Sequence, residues 1–115
     1  MKSDPDCVFC RIAKGEVPAT VLERHPMFLV IRDANPQAPD HVLVFPTEHV
    51  PSLDQCDDSE LLGQLLVLAR SVARKVHIDH GGYRVVINQG DHGGQTVRHL
   101  HAHILGGRRM KWPPG

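Results

Sequence analysis

The chain has 115 residues, 41% of them hydrophobic, and its 13 Lys and Arg are matched by 13 Asp and Glu. This is the length of one domain with enough apolar residues for a core, which argues against disorder. The charge balance argues against a nucleic-acid or membrane surface, and no run of 18 apolar residues occurs that would suggest a transmembrane helix.

The opening MKSDPDCVFC is polar and lacks the apolar stretch of a signal peptide, so a cytoplasmic protein is expected, with Met1–Asp6 as a flexible N-terminus. The three cysteines are odd in number, and Cys7 and Cys10 lie three apart, which makes a disulfide framework a poor explanation. CVFCRIAKGE reads as a short helix ending near Gly15, with Val8, Phe9 and Ile12 on one side, and Pro18 lies beyond it. TVLERH and MFLVIRD are β-rich runs separated by His25-Pro26 and predict a hairpin. NPQAPDH is a loop, and HVLVFP a third strand stopped by Pro46. Residues 59–76 predict the one long helix, with Leu61, Leu62, Leu65, Leu66, Leu68, Ala69, Val72, Ala73 and Val76 in a broad apolar stripe. Asp58 or Ser59 serves as its N-cap, and Gly81-Gly82 lies past its end. YRVVINQ is a fourth strand, GDHGGQT a loop, RHLHAHIL a fifth strand, and residues 108–115 an extended tail. Strands follow one another rather than alternating with helices, so the expected fold is a single α+β domain with a five-stranded, mostly antiparallel sheet, one long helix and one short one.

Three histidines alternate in RHLHAHIL. On a strand, His99, His101 and His103 would line one face at roughly 6.6 Å spacing, with Leu100, Ala102 and Ile104 on the other. The apolar face can pack on the long helix, whereas the histidine face is expected to meet something polar. A polar outer sheet face is the bland alternative, and it accommodates one histidine more easily than three. Upstream, NQGDHGGQT has the glycine content for backbone N–H groups to converge on an anion, with Asn88, Gln95 and Thr96 adding side-chain donors. An ordinary flexible hairpin loop would have the same glycines.

The run His99-Leu100-His101-Ala102-His103-Ile104-Leu105 resembles the signature of the histidine-triad (HIT) superfamily. RDANPQAPDHVLVFP, GYRVVINQG, GGQTVRHLHAHILGGR and the terminal WPPG resemble its Hint branch, the nucleoside phosphoramidases, over nearly the whole chain from Cys7 to Gly115. The resemblance implies the HIT fold and hydrolysis of nucleoside 5′-phosphoramidates to a nucleoside monophosphate and an amine. His101 would be the nucleophile that forms a nucleotidyl-histidine intermediate, His103 would contact the phosphate, and Thr96 would help protonate the leaving amine. A neutral imidazole is a competent nucleophile near pH 7, and a covalent intermediate divides one hard displacement into two. Asn88, Gly94 and Gln95 would hold phosphate oxygens, and Asp33 would accept from the ribose hydroxyls. Val8, Phe9, Ile12, Ile31, Ala34, His41 and Leu43 would form the base pocket. No catalytic metal is implied. Ile31 and Ala34 depart from the aromatic and the larger aliphatic common at those places, which points to a wider base pocket. Arg98 precedes the triad where a tyrosine or proline often sits.

Cys7-x-x-Cys10 has the spacing of a zinc-binding pair, of two buried core cysteines, or of a redox dithiol. Superfamily members that bind zinc do so with such a pair, a histidine after the third strand and the first triad histidine, which here implies Cys7, Cys10, His49 and His99 around a structural zinc. The resemblance also implies a homodimer in one continuous sheet, with Trp112 of the tail near the other protomer's pocket. The competing readings are a dinucleoside polyphosphate hydrolase with the same nucleophile, a nucleotide-binding regulatory module with little turnover, and a zinc-stabilised interaction domain.

Overall fold

The computed structural model describes residues 2–115. In chain order the elements are α1 (Val8–Ala13), β1 (Val21–Arg24), β2 (Phe28–Arg32), β3 (Asp40–Pro46), α2 (Ser59–Lys75), β4 (Tyr83–Val86) and β5 (Ala102–Gly106). The five strands form one antiparallel sheet in the order β1-β2-β3-β5-β4, so the predicted α+β architecture is the observed one. No helix among the described residues is long and apolar enough to cross a membrane.

Alternation along the central strands sends side chains to two different cores. Val30, Val42, Val44, Ala102 and Ile104 face α2 and meet Leu61, Leu65, Ala69, Val72 and Ala73. Leu29, Ile31, Leu43 and Phe45 face the opposite way and meet Phe9, Cys10 and Ile12 of α1. Both faces of the sheet are therefore covered, and β3 is buried from His41 to Pro46. The predicted stripe of α2 is wider than the face it buries, since Leu66 is 53% exposed.

Local chemistry sets the helix ends. The Asp58 carboxylate accepts from Leu61 N–H at 3.1 Å, satisfying one of the free donors of the first turn. At the other end His77 takes the left-handed conformation (φ 63°), and Ile78 N–H donates to the Ala73 carbonyl at 3.0 Å. This is a Schellman closure in which a histidine stands where glycine is usual, and it returns Ile78 to the core.

Two strands are shorter than the sequence suggests. The fifth begins at Ala102 rather than Arg98, because the backbone before it is bonded elsewhere: Leu100 N–H donates to the Val50 carbonyl at 2.6 Å and His99 N–H to the Val97 carbonyl at 2.9 Å. The fourth stops at Val86, paired with His103, and residues 87–89 leave the ladder. Gln89 instead accepts from Asp54 N–H through its side-chain oxygen at 2.8 Å. At the N-terminal end, the Lys2 carbonyl accepts from His49 N–H (2.9 Å) and the Asp4 carbonyl from Cys7 N–H (3.1 Å), and Met1 lies outside the described residues.

Candidate active site and metal cluster

Although His99 and His101 precede β5, the in-and-out alternation continues through them. Leu100 joins the α2 core, while the rings of His99 and His101 lie against Phe9 on the α1 side. His99 is fully buried, with its ring edge-on to Phe9 at 5.7 Å and to Phe45 at 5.5 Å, so the polar groups that its face meets are buried protein groups rather than solvent. The second core under α1 supplies those aromatic rings.

Hydrogen bonding determines which nitrogen of His99 carries its proton. Nε2 lies 2.7 Å from the Pro46 carbonyl, which can only accept, so Nε2–H donates and Nδ1 keeps its lone pair. That lone pair faces two thiols, Cys7 Sγ at 3.3 Å and Cys10 Sγ at 3.6 Å, and Cys10 Sγ lies 3.4 Å from His49 Nδ1. All four potential ligand atoms lie within 4.8 Å of one another. Tetrahedral zinc with bonds of about 2.3 Å to sulfur and about 2.05 Å to nitrogen gives S···N edges of about 3.5 Å. The four residues therefore fit a four-coordinate metal in donor type and in spacing, and a carbonyl on the far side of a ligating imidazole is the usual support for such a ligand. Burial pushes His99 down to about 4, which keeps it in the neutral form that binds metal, and burial raises the Cys7 thiol. Cys7 is the N-cap of α1 and Cys10 lies in its first turn, so both thiols sit at the same helix end, where the Cys7 sulfur accepts from Cys10 N–H at 3.5 Å.

His101 carries the opposite tautomer. Its Nδ1–H donates to the His99 carbonyl at 2.7 Å, leaving the lone pair on Nε2. Among the described residues Nε2 has no protein partner, and no buried side-chain nitrogen or oxygen lacks one, so Nε2 is open to the adjoining cleft. Burial lowers the pKa of His101 and keeps the ring neutral near pH 7. An unprotonated nitrogen held in place by a backbone carbonyl is the arrangement a histidine nucleophile requires.

The cleft has a volume of about 800 Å³. Its wall brings together most of the residues expected from the sequence: Val8, Phe9, Ile12, Ile31, Asp33, Ala34, Leu43, Thr96, His101 and His103. Val17, Pro18, Ala19, Thr20, Arg32 and Val97 also line it and were not anticipated. The first four follow α1 directly, the element already expected at the pocket, and that adjacency was the signal available for them.

His41 is absent from that wall and stands behind His103, with 2.9 Å between His41 Nε2 and His103 Nδ1. The Asp33 carboxylate lies 3.4 Å from the same His41 nitrogen and accepts from Asn35 N–H at 2.8 Å. Desolvation lowers His103 to about 4, helped by the neighbouring His101 and His41.

The glycine-rich segment is a braced loop. Gly90 (φ 69°) and Gly94 (φ 79°) occupy the left-handed region, and a Cβ at Gly93 would lie 2.3 Å from the Gln89 carbonyl oxygen, so a side chain cannot be accommodated there. Gln95 does the bracing: its Oε1 accepts from Gly90 N–H at 3.0 Å, and its Nε2 donates to the carbonyls of Pro51 (2.8 Å) and Val97 (3.1 Å). Its amide is thereby committed within the protein. Asn88 and Gly94 are not on the cleft wall. Arg98 is exposed and pairs with Asp91 at 3.3 Å. Trp112 lies away from the cleft, 81% exposed, with the Arg84 guanidinium 5.9 Å over its ring and Arg84 Nη2–H donating to the Lys111 carbonyl at 2.9 Å. A second concavity of about 680 Å³, lined by His77, Tyr83, Arg84, Arg108 and Arg109 among others, contains none of the predicted catalytic or metal residues.

Several known proteins share this arrangement of chain and fold. A 14 kDa zinc-binding protein of Zea mays is 44% identical over 116 residues, covering 97% of this chain and 90% of the maize protein. The crystal structure of a HIT family hydrolase from Legionella pneumophila Philadelphia 1 superposes with a TM-score of 0.93 at 46% identity, covering 96% of this chain and 100% of that one. That of a histidine triad nucleotide-binding protein from Candida albicans superposes with a TM-score of 0.81 at 29% identity, covering 94% and 83%. Residues 14–110 match the HIT domain, and with the five-stranded fold and the His99-x-His101-x-His103 segment in place, the chain belongs to the HIT domain family.

Proposed function

We propose that this protein is a nucleotide-binding hydrolase that cleaves the P–N bond of nucleoside 5′-phosphoramidates. The observation that carries the reading is His101 Nε2, an unprotonated nitrogen open to a cleft whose lining also includes apolar side chains, Asp33 and Thr96. In the first step the Nε2 lone pair forms a bond to the α-phosphorus while the bond from phosphorus to the amine breaks. The amine leaves with its electron pair and takes a proton through the Thr96 hydroxyl, which lines the cleft and regains its proton from the water of the second step. Water then attacks the same phosphorus, the nucleotidyl-histidine bond breaks, and nucleoside monophosphate is released. Asp33 would accept from the ribose hydroxyls, and Val8, Phe9, Ile12, Ile31, Ala34 and Leu43 would enclose the base. The Legionella neighbour's description as a hydrolase and the Candida neighbour's as nucleotide-binding support this class.

Cys7, Cys10, His49 and His99 would hold zinc, which supplies a closed four-ligand crosslink between α1, the segment after β3 and the segment before β5. The maize relative's description as zinc-binding is consistent with this. A homodimer would give the exposed Trp112 a surface to cover it, on the leaving-group side of the partner's pocket.

The test is intact-protein mass spectrometry after brief mixing with a nucleoside phosphoramidate, followed by peptide mapping. A nucleotide adduct on His101 is expected. Steady turnover with no adduct at any quench time, or faster turnover of a dinucleoside polyphosphate, would displace the assignment.

A further inference from the structure

The three atoms behind His103 determine what that residue can do. Gln37 N–H donates to His41 Nδ1 at 3.0 Å, and a backbone amide can only donate. His41 Nδ1 therefore carries a lone pair, and the ring's single proton sits on Nε2. That Nε2–H faces two acceptors, His103 Nδ1 at 2.9 Å and Asp33 Oδ2 at 3.4 Å. For His103 Nδ1 to accept, its own proton must sit on Nε2, and Nε2 has no protein partner among the described residues and opens to the cleft. A proton added at His103 Nδ1 would point directly at the N–H of a buried ring.

We propose, on the reading of this cleft as a phosphoramidase site, that His41 is a positioning residue: with the Gln37 amide behind it, it locks His103 as a neutral Nε2–H donor to the phosphate. His103 is then a hydrogen-bond donor through the whole reaction and never the acid that protonates the leaving amine, which leaves that proton to Thr96 or water. The same geometry argues against a metal at Asp33, His41 and His103, although their ligand atoms lie close together. The His41 nitrogen facing the other two already holds a proton, and a 2.9 Å N···N separation is a hydrogen bond.

The groups facing His103 are Asp33, His41 and His101. The experiment is a long-range ¹H–¹⁵N spectrum of the intact, metal-replete protein, which reads the tautomer of each histidine without substrate. His103 is expected as Nε2–H from about pH 5 to about pH 8, a range in which an unconstrained imidazole would change charge. In His41→Leu the Nδ1 acceptor loses its donor. The His103 signal should then move towards mixed tautomers, and kcat should fall about 10- to 100-fold, more than KM changes, as expected when a buried acceptor is left unpaired. His41→Gln, which returns an N–H donor near the same place, should recover a large part of both. Finding His103 as Nδ1–H or imidazolium near neutral pH, an unchanged tautomer in His41→Leu, or a metal bound through Asp33 would overturn the proposal. If His41→Leu does not fold, the wild-type and His41→Gln spectra still decide it. If phosphoramidates are not hydrolysed at all, the reaction assignment falls while the tautomer result stands.

Discussion

Replacing His101 separates chemistry from structure, because the ring's two nitrogens do different things. His101→Ala removes Nε2 from the cleft and the donor to the His99 carbonyl, a bond of 2.7 Å. Loss of a nucleophile that acts with its neighbours as a unit should reduce turnover on the order of 10³-fold or more. The structural cost is smaller. An orphaned buried carbonyl costs about 1–3 kcal/mol, and here the lower half of that range applies, because water can enter from the cleft the ring vacates. The lost edge-on contact with Phe9, at 5.0 Å between ring centres, adds a fraction of that. A total of about 2 kcal/mol corresponds to a Tm lower by roughly 8 °C in a domain of this size, which leaves the protein folded at room temperature. The assays are amine release from a nucleoside phosphoramidate, thermal melting, and nucleotide binding by calorimetry. Binding should persist, and free imidazole added to the smaller His101→Gly should restore part of the rate by occupying the emptied site. A variant that keeps activity within about tenfold of the wild type would refute the covalent mechanism.

Three further outcomes are expected. Metal analysis should find about one zinc per chain, and chelation should lower Tm, because the cluster ties α1 to two other parts of the chain; a fully reduced sample without zinc would return Cys7 and Cys10 to the role of buried core cysteines. Stability should be greatest above about pH 6.5, the ordinary histidine range, and should fall with acid. The cause is that unfolded His103 takes up a proton the folded ring refuses until about pH 4; urea midpoints that stay flat from pH 7 to pH 5 would contradict this. Removing residues 112–115 should change preference among leaving amines more than the rate of attack by His101; light scattering and a substrate panel test the dimer and the tail together, and an unchanged ranking would remove the role given to Trp112.

Sequence reasoning reached the element order because each element has its own periodicity, and it reached the cleft residues of α1, β2 and β3 through the resemblance of those segments to the HIT superfamily. It erred where backbone hydrogen bonds, which carry no sequence signature, overrode pattern. RHLHAHIL reads as eight residues of strand, yet Leu100 N–H is taken by the Val50 carbonyl and pairing starts only at Ala102. Gln95 reads as a phosphate donor, yet its amide is spent on Gly90, Pro51 and Val97. His41 reads as a base-pocket residue from the family resemblance. Its register against Leu105 and its bond to His103 are tertiary facts that local sequence does not encode.

The segment His99–His103 holds three imidazoles in two tautomers, and a different partner sets each. The Pro46 carbonyl puts the proton of His99 on Nε2 and turns the Nδ1 lone pair towards two thiols. The His99 carbonyl puts the proton of His101 on Nδ1 and turns the Nε2 lone pair towards the cleft. The His41 ring, facing Nδ1 of His103, sets the third in the proposed arrangement, with the same tautomer as His99 but its N–H turned to the cleft. Spacing by two lets the carbonyl of the first histidine meet the ring of the second, so His99 serves both centres, with its ring in the cysteine cluster and its carbonyl orienting the nucleophile. A disturbance of the cluster that rotates His99 would therefore reach His101 through a single hydrogen bond, without involving the rest of the sheet. The alternation that first singled out these histidines is thus a requirement of the site, because a spacing of one or three would send the second ring to the α2 core, where Leu100, Ala102 and Ile104 already pack.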